Sequence, residues 1–192
     1  MTSEPETAQA PRSAHRVPAG VGMSPDRMVL TLDHERWAHF FEAETQLIAT
    51  ALQELSPIIE HVGSTAVRGL LAKPIVDVAV VVGGVEDLEG AVAPLQTLGY
   101  LDRGQNGDDP LRRYLVLEVD QRRVAQLHVW TETAAAWREG VAFRDLLRTR
   151  DDLCEAYALE KRRVAAAVGW DKRGYSLAKG VFVGQILDRW IR

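Results

Sequence analysis

One carboxylate stands inside an otherwise apolar run, Asp77 in Ile75-Val76-Asp77-Val78-Ala79-Val80-Val81-Val82. An ionised carboxylate is expensive to bury unless it is paired, hydrogen-bonded or bound to a cation, so its position in the middle of a strand implies a partner. Thirteen residues upstream of Asp77, Gly63-Ser64 closes a second β-branched run, Ile58-Ile59-Glu60-His61-Val62. A Gly-Ser turn at a strand end exposes backbone N–H groups and a hydroxyl, the donors that phosphate oxygens accept from. The two features together point to phosphate chemistry. Gly63, Ser64 and Thr65 would cradle phosphate, and Asp77 would hold a divalent metal, Mg2+ or Mn2+, against it.

Cations bracket this pair in the sequence. Lys73 precedes Pro74 at the entry to the Asp77 run, Arg112 and Arg113 follow a polar loop, and Lys179 lies near the C-terminus. Any one of them alone reads as a solvated surface charge; the set reads as the complement of an anion. Lys73 and Arg113 are the first choices for neutralising phosphate charge, Arg through a two-pronged contact and Lys as a point charge. In Val124-Ala125-Gln126-Leu127-His128-Val129-Trp130, side-chain alternation puts Gln126 and His128 on one face. His128 would then bond Asp77 or a ligand phosphate, or join Asp77 and His61 or Glu60 in a mixed site suited to Zn2+, Mn2+ or Fe2+.

The elements that must position these groups follow from periodicity. Trp37, Phe40, Phe41, Leu47, Ile48, Ala51 and Leu52 recur at helical spacing after Asp33. The runs 58–62 and 75–82 read as strands joined by a turn or short helix over 65–71, the second buried on both faces. Residues 86–98 read as one helix closed by Gly99, and Tyr100 begins an extended stretch. The segment Arg103 to Pro110 has turn chemistry at nearly every position, which predicts a mobile loop. Residues 113–119 and 122–130 form a hairpin about Asp120-Gln121, and 134–150, 152–168 and 176–190 are three helices. Trp137, Trp170 and Trp190 read as packing residues.

These elements give an α+β fold. Its 192 residues and 21.3 kDa suit one domain, with 46% hydrophobic residues to build a core. Residues 1–25, with four prolines among Ser, Thr, Ala and Gly, read as a disordered N-terminal tail before a domain over 26–192. A net charge of −4 removes any global attraction to polyanions, so nucleic acid is not expected as a partner. No apolar run reaches the ~20 residues of a membrane span, and the N-terminus lacks signal-peptide order, so a cytoplasmic protein is expected. The single Cys154 reads as a core thiol.

The stretch Glu60-His61-Val62-Gly63-Ser64-Thr65-Ala66-Val67, then Gly69-Leu70-Leu71-Ala72-Lys73-Pro74-Ile75-Val76-Asp77, resembles the signature of the GrpB family. Leu127-His128-Val129, Ala142-Phe143-Arg144-Asp145, Tyr157 to Lys161 and Tyr175 to Lys179 resemble its later motifs in the right order. The resemblance implies the nucleotidyltransferase superfold: a nucleotidyltransferase-like mixed sheet flanked by helices, with a C-terminal helical segment. It further implies a nucleoside triphosphate as substrate, a small-molecule acceptor, and a phosphate- and metal-binding role for Gly63, Ser64 and Asp77. The family is also found fused behind dephospho-coenzyme A kinase domains, but no Gly-Lys-Ser or Gly-Lys-Thr P-loop occurs here.

The chain departs from an active two-metal enzyme at two places. Ala79 shares the face of Asp77, where the superfold carries its second carboxylate, and the strand of Gln126 and His128 supplies no third acid. Gln126 also replaces a His common in the family. Three functions therefore stand: nucleotidyl transfer to a small acceptor, a non-catalytic module for a nucleotide or coenzyme A-like ligand, and ligation or hydrolysis of another phosphorylated substrate using Glu60, Asp77 and His128. Oligomeric state is not readable from the sequence.

Overall fold

The computed structural model describes residues 17–105, 107, 109–168 and 171–190. Five strands form one mixed sheet in the order β1-β2-β5-β4-β3: β1 (Ile58–Val62), β2 (Val76–Val82), β3 (Leu101–Asp102), β4 (Arg112–Val119) and β5 (Arg122–Thr131). β2 and β5 pair in parallel, and the other three pairings are antiparallel. The helices are α1 (His34–Ala51), α2 (Val85–Gly90), α3 (Val92–Thr97), α4 (Ala135–Thr149), α5 (Asp151–Val168) and α6 (Lys172–Trp190). This is the expected α+β arrangement of a mixed sheet with a helical C-terminal segment. No helix among the described residues is long and apolar enough to cross a membrane.

Strand alternation divides the sheet into two unlike faces. Val76, Val78, Val80, Leu127 and Val129 point to one side, where Phe40 and Ile48 of α1, Leu88 of α2 and Leu95 of α3 seal the main core. The opposite side carries Val62, Ala79 and Trp130 in a smaller cluster with Ala134 beside α4. α4, α5 and α6 pack on one another along this second side, with Tyr157 stacked on Phe182 and edge-on to Phe143.

Several boundaries differ from the sequence reading for local reasons. The helix expected over 86–98 is two helices broken at Ala91, because Pro94 has no N–H to bond back to Gly90. The Asp120-Gln121 hairpin forms without glycine, both residues taking positive φ (49° and 60°), as a tight twisted turn requires. In the loop after β3, Asp102 accepts from Gly104 N–H and Asp109 from Leu111 N–H, so side-chain turns order the flanks. Of the expected tail, residues 1–16 lie outside the described residues, whereas 17–25 are packed. Val21 and Met23 are buried, and Met23 bridges to Arg123. Gly20 and Gly22, at φ 89° and 99°, make the bends that turn these side chains inward. Trp190 is 42% exposed under Arg150 rather than in a core, and Trp170 lies outside the described residues.

Candidate functional site

The Gly-Ser turn and the carboxylate meet because β1 and β2 are antiparallel neighbours with Val62 opposite Asp77. The chain leaves β1 through Gly63 at φ 70°, and a Cβ there would lie 2.5 Å from Asp77 Oδ2. Only glycine allows both that backbone and that approach. Ser64 then opens a short 3-10 turn, Ser64–Ala66, at the mouth of a cavity of about 380 Å3. Thr65 lines the same cavity, but its hydroxyl is 3.0 Å from His61 Nε2 and is committed to the protein.

α4 fixes this corner from behind. Buried Arg144 donates to Glu60 Oε2 (2.6 Å), to the His61 carbonyl (2.8 Å) and to Asp145, and Arg148 donates twice to the Ala66 carbonyl. Glu60 is thereby used in an ion pair. His61 stacks on Phe41, and burial pushes its imidazole down to about 4. It keeps to the packed side of the sheet, so neither Glu60 nor His61 joins Asp77 in a mixed metal site.

His128 does meet Asp77. Its Nε2 lies 3.6 Å from Asp77 Oδ1, while Nδ1 is 2.6 Å from an Nη of Arg112. A guanidinium can only donate, so Nδ1 accepts and the ring proton sits on Nε2, directed at the carboxylate. Trp130 stacks on the His128 ring, and the Arg112 guanidinium lies over both Tyr114 and Trp130. Arg113, by contrast, does not reach the cleft. Its guanidinium bonds Glu89 and lies 3.8 Å from Asp102. Arg112 is the residue that turns inward, since it pairs with Trp130 on the Asp77 face.

The predicted lysines converge, and a third joins them. Lys73 lines the cavity with Nζ 4.1 Å from the Tyr175 ring centroid, and Lys179 enters from α6. The Tyr157 oxygen foremost, and Asp77 as well, hold the Lys179 pKa above its ordinary value. Lys161, from α5, also lines the cavity and donates to the Leu71 carbonyl. Burial, with Lys179 adding to it, pushes Lys161 down to about 7. Its place in the Tyr157-to-Lys161 motif was visible in the sequence; its direction was not.

Asp77 is the one carboxylate among the residues lining this cavity. Ala79 is fully buried on the same face, and among the described residues no group of three or more His, Cys, Asp or Glu side chains is placed to hold a metal ion. The residues present do not fit a two-metal centre.

The comparisons with known proteins agree with this architecture. The GrpB protein family profile matches residues 27–189. The chain belongs to the GrpB family. It is 30% identical over 172 residues to the glutamate-rich protein GrpB of Alkalihalophilus pseudofirmus, covering 88% of this chain and 98% of that one. It is 35% identical to a UPF0157 protein of Pseudomonas aeruginosa, covering 85% and 68%. Among solved structures, the conserved protein GrpB from Enterococcus faecalis superposes with a TM-score of 0.74 at 26% identity, over 85% of this chain and all of that one. The Cid1 poly(U) polymerase bound to Mg 3'-dATP gives a TM-score of 0.52 at 11% identity, over 78% of this chain and 49% of that one. That likeness places this GrpB-family chain in the nucleotidyltransferase-like fold.

Proposed function

We propose that the cleft binds the phosphate chain of a nucleotide, with protein ammonium groups carrying the charge neutralisation that a two-metal cluster supplies elsewhere in the fold. The convergence of Lys73, Lys161 and Lys179 on the cavity of Gly63, Ser64 and Asp77 carries this reading. The three amines line a cavity whose lining holds one carboxylate, and their partly dry surroundings strengthen the attraction for a polyanion. Burial pushes Lys161 down to about 7, so a bound phosphate that favours its charged form draws in a proton. Because the donor set does not fit two metals, Mg2+ or Mn2+ would come with the nucleotide's own phosphates rather than from a protein cage. A cytoplasmic location accords with such a ligand.

The test is calorimetric titration with nucleoside tri- and diphosphates and coenzyme A, once with Mg2+ and once with EDTA. Saturable binding that survives EDTA, weakens about tenfold in Lys179→Met and takes up protons near pH 7 is the expected result. No saturable binding of any of these ligands, or binding abolished by EDTA, sinks the reading.

A second reading, transfer of a nucleotidyl group to a small-molecule acceptor, is favoured by the line Arg112, His128, Asp77. The Asp77 carboxylate would take the proton of an acceptor hydroxyl while that oxygen bonds the α-phosphorus and the α–β bridge breaks, releasing pyrophosphate. His128, fixed by Arg112, would hold the carboxylate in place. Pyrophosphate release from a triphosphate, lost in Asp77→Asn, is the expected sign. Release unchanged in that variant excludes this role for Asp77.

A further inference from the structure

A second chamber of about 370 Å3 lies beside the phosphate cavity and meets it along Lys73, Ile75, Gln126, His128 and Ser176. Its own walls come from β4, the hairpin turn and the packed N-terminal segment, with Arg112, Tyr114, Glu118, Gln121, Arg123 and Met23. His128 is thus a shared wall, presenting Nε2 towards Asp77 on one side and accepting from Arg112 on the other.

The charges in this chamber do not balance. Arg123 is paired with Glu118 at 3.1 Å, and Lys73 is shared with the first cavity, where it lies over Tyr175. Arg112 has no carboxylate within ion-pair distance among the described residues. Its only hydrogen bond there goes to the uncharged Nδ1 of His128, and its Nε is buried with no partner. A partly desolvated guanidinium without a direct carboxylate partner is costly. Burial lowers its pKa, against the opposing pull of Tyr114, Asp109 and Asp77. Trp130 Nε1, on the same face, is also buried without a partner. The guanidinium is nevertheless held in one orientation by His128 and by the Tyr114 and Trp130 rings, 5.3 and 5.6 Å from their centroids.

We propose that this chamber binds a small, polar, carboxylate-bearing molecule, with the carboxylate on Arg112 and the body of the molecule lying along Gln126 towards Gln121 and the Arg123–Glu118 pair. A buried guanidinium with no carboxylate in ion-pair contact calls for an anion, and its planar fork matches a carboxylate edge to edge. The multiply charged phosphate chain belongs to the lysine side. The volume is that of a compact metabolite rather than of a polymer. This places the carboxylate compound beside the nucleotide phosphates, across the shared wall of Lys73, Ile75, Gln126, His128 and Ser176. The inference rests on the nucleotide reading for its neighbour, whereas the chamber itself is tested independently.

The experiment is 15N NMR of the whole chain, following the Arg112 Nε–H and Trp130 Nε1–H signals and the Gly63 and Ser64 amides. The probes are L-glutamate, succinate, citrate, inorganic phosphate and ATP. At least one carboxylate is expected to shift the Arg112 and Trp130 signals saturably at millimolar concentration, and ATP to shift the Gly63 and Ser64 amides. In Arg112→Gln the carboxylate affinity should fall at least about tenfold, read at Trp130, with the ATP response retained. Arg112→Lys should fall between the two, because it keeps the charge and loses the fork. Carboxylates that leave Trp130 and Arg112 unmoved, or bind equally well in both variants, overturn the proposal, as does inorganic phosphate displacing them from Arg112. Carboxylate binding without any ATP response would sustain the chamber and sink the nucleotide reading; ATP binding without a carboxylate response would do the reverse.

Discussion

The two faces of the central sheet are made by the same strands and obey opposite rules. On β2, Val76, Val78, Val80 and Val82 enter a dry core closed by α1, α2 and α3, while the alternate positions hold Asp77 and Ala79. On β5, Leu127 and Val129 match the first set, and Gln126 and His128 match the second. Apolar contact on the first face holds the sheet together. The second face carries a carboxylate, an imidazole and a guanidinium that satisfy one another only in part, which is what a binding surface needs and a core cannot tolerate. Substitutions should therefore divide sharply: those on the packed face cost stability and leave ligand chemistry alone, and those on the open face do the reverse.

The largest effect is expected at Leu127, fully buried between β2 and β4 on the packed face. Leu127→Ala removes apolar contact and leaves a cavity, at a cost of about 2–5 kcal/mol in urea unfolding. Nucleotide affinity measured well below the unfolding midpoint should be unchanged. A ligand defect larger than the stability defect would blur the division between the faces.

The next effect comes from His61, whose side chain belongs to the packed face although its neighbour Gly63 opens the site. Its folded pKa of about 4 lies below the ordinary 6.5, so between these values the unfolded chain binds more protons. Stability is then full above about pH 6.5 and falls as the pH drops towards 4, by on the order of 3 kcal/mol from this group. His61→Gln, which can keep a bond to Thr65, should flatten that acid limb relative to the parent in unfolding curves at pH 7 and 4.5. An identical acid slope in the two proteins would show that His61 is not its source.

Arg144 tests the join between the faces and the C-terminal helices. Its guanidinium ties α4 to Glu60 and to the His61 carbonyl, but Glu60 and Asp145 are partly exposed, so solvent screens much of the ion pairing. Arg144→Ala should cost about 2 kcal/mol, most of it from the unsatisfied carbonyl and the loosened helix. Restoring a hydrogen bond with Arg144→Gln should recover part of it in the same unfolding assay.

What the sequence revealed of these faces depended on distance along the chain. Gly63, Ser64 and Asp77 lie within fifteen residues, and a strand, a turn and a strand bring them together with little freedom. The choice between Arg112 and Arg113 turned on parity. One residue of register decides which faces the cleft, and the ladder slips between Leu117 and Glu118, so counting back from the hairpin gives the wrong phase. Lys161 could be assigned to a helix but not to the cavity, because its direction depends on how α5 and α6 pack against each other and on the Leu71 carbonyl. The orientation of residues 17–25 was hidden for a related reason: two glycine bends, not an apolar period, turn Val21 and Met23 inward.

The smallest stability effect, and the most discriminating ligand effect, is expected at Asp77 itself. Its side chain is 29% exposed, and His128 Nε2 is 3.6 Å from its Oδ1, beyond a hydrogen bond. Asp77→Asn should shift stability by no more than about 1 kcal/mol in either direction, since little pairing is lost and the amide still covers Gly63. For the ligand the sign is informative. If lysines hold the polyphosphate, removing the one carboxylate from the cavity removes repulsion, and nucleotide affinity in EDTA should stay level or rise. If a metal on Asp77 anchors the nucleotide, the affinity in Mg2+ should fall sharply in the same variant. Calorimetry on the two proteins under both conditions separates these outcomes. Equal or tighter binding alongside lost pyrophosphate release would assign Asp77 to proton transfer rather than to holding the nucleotide.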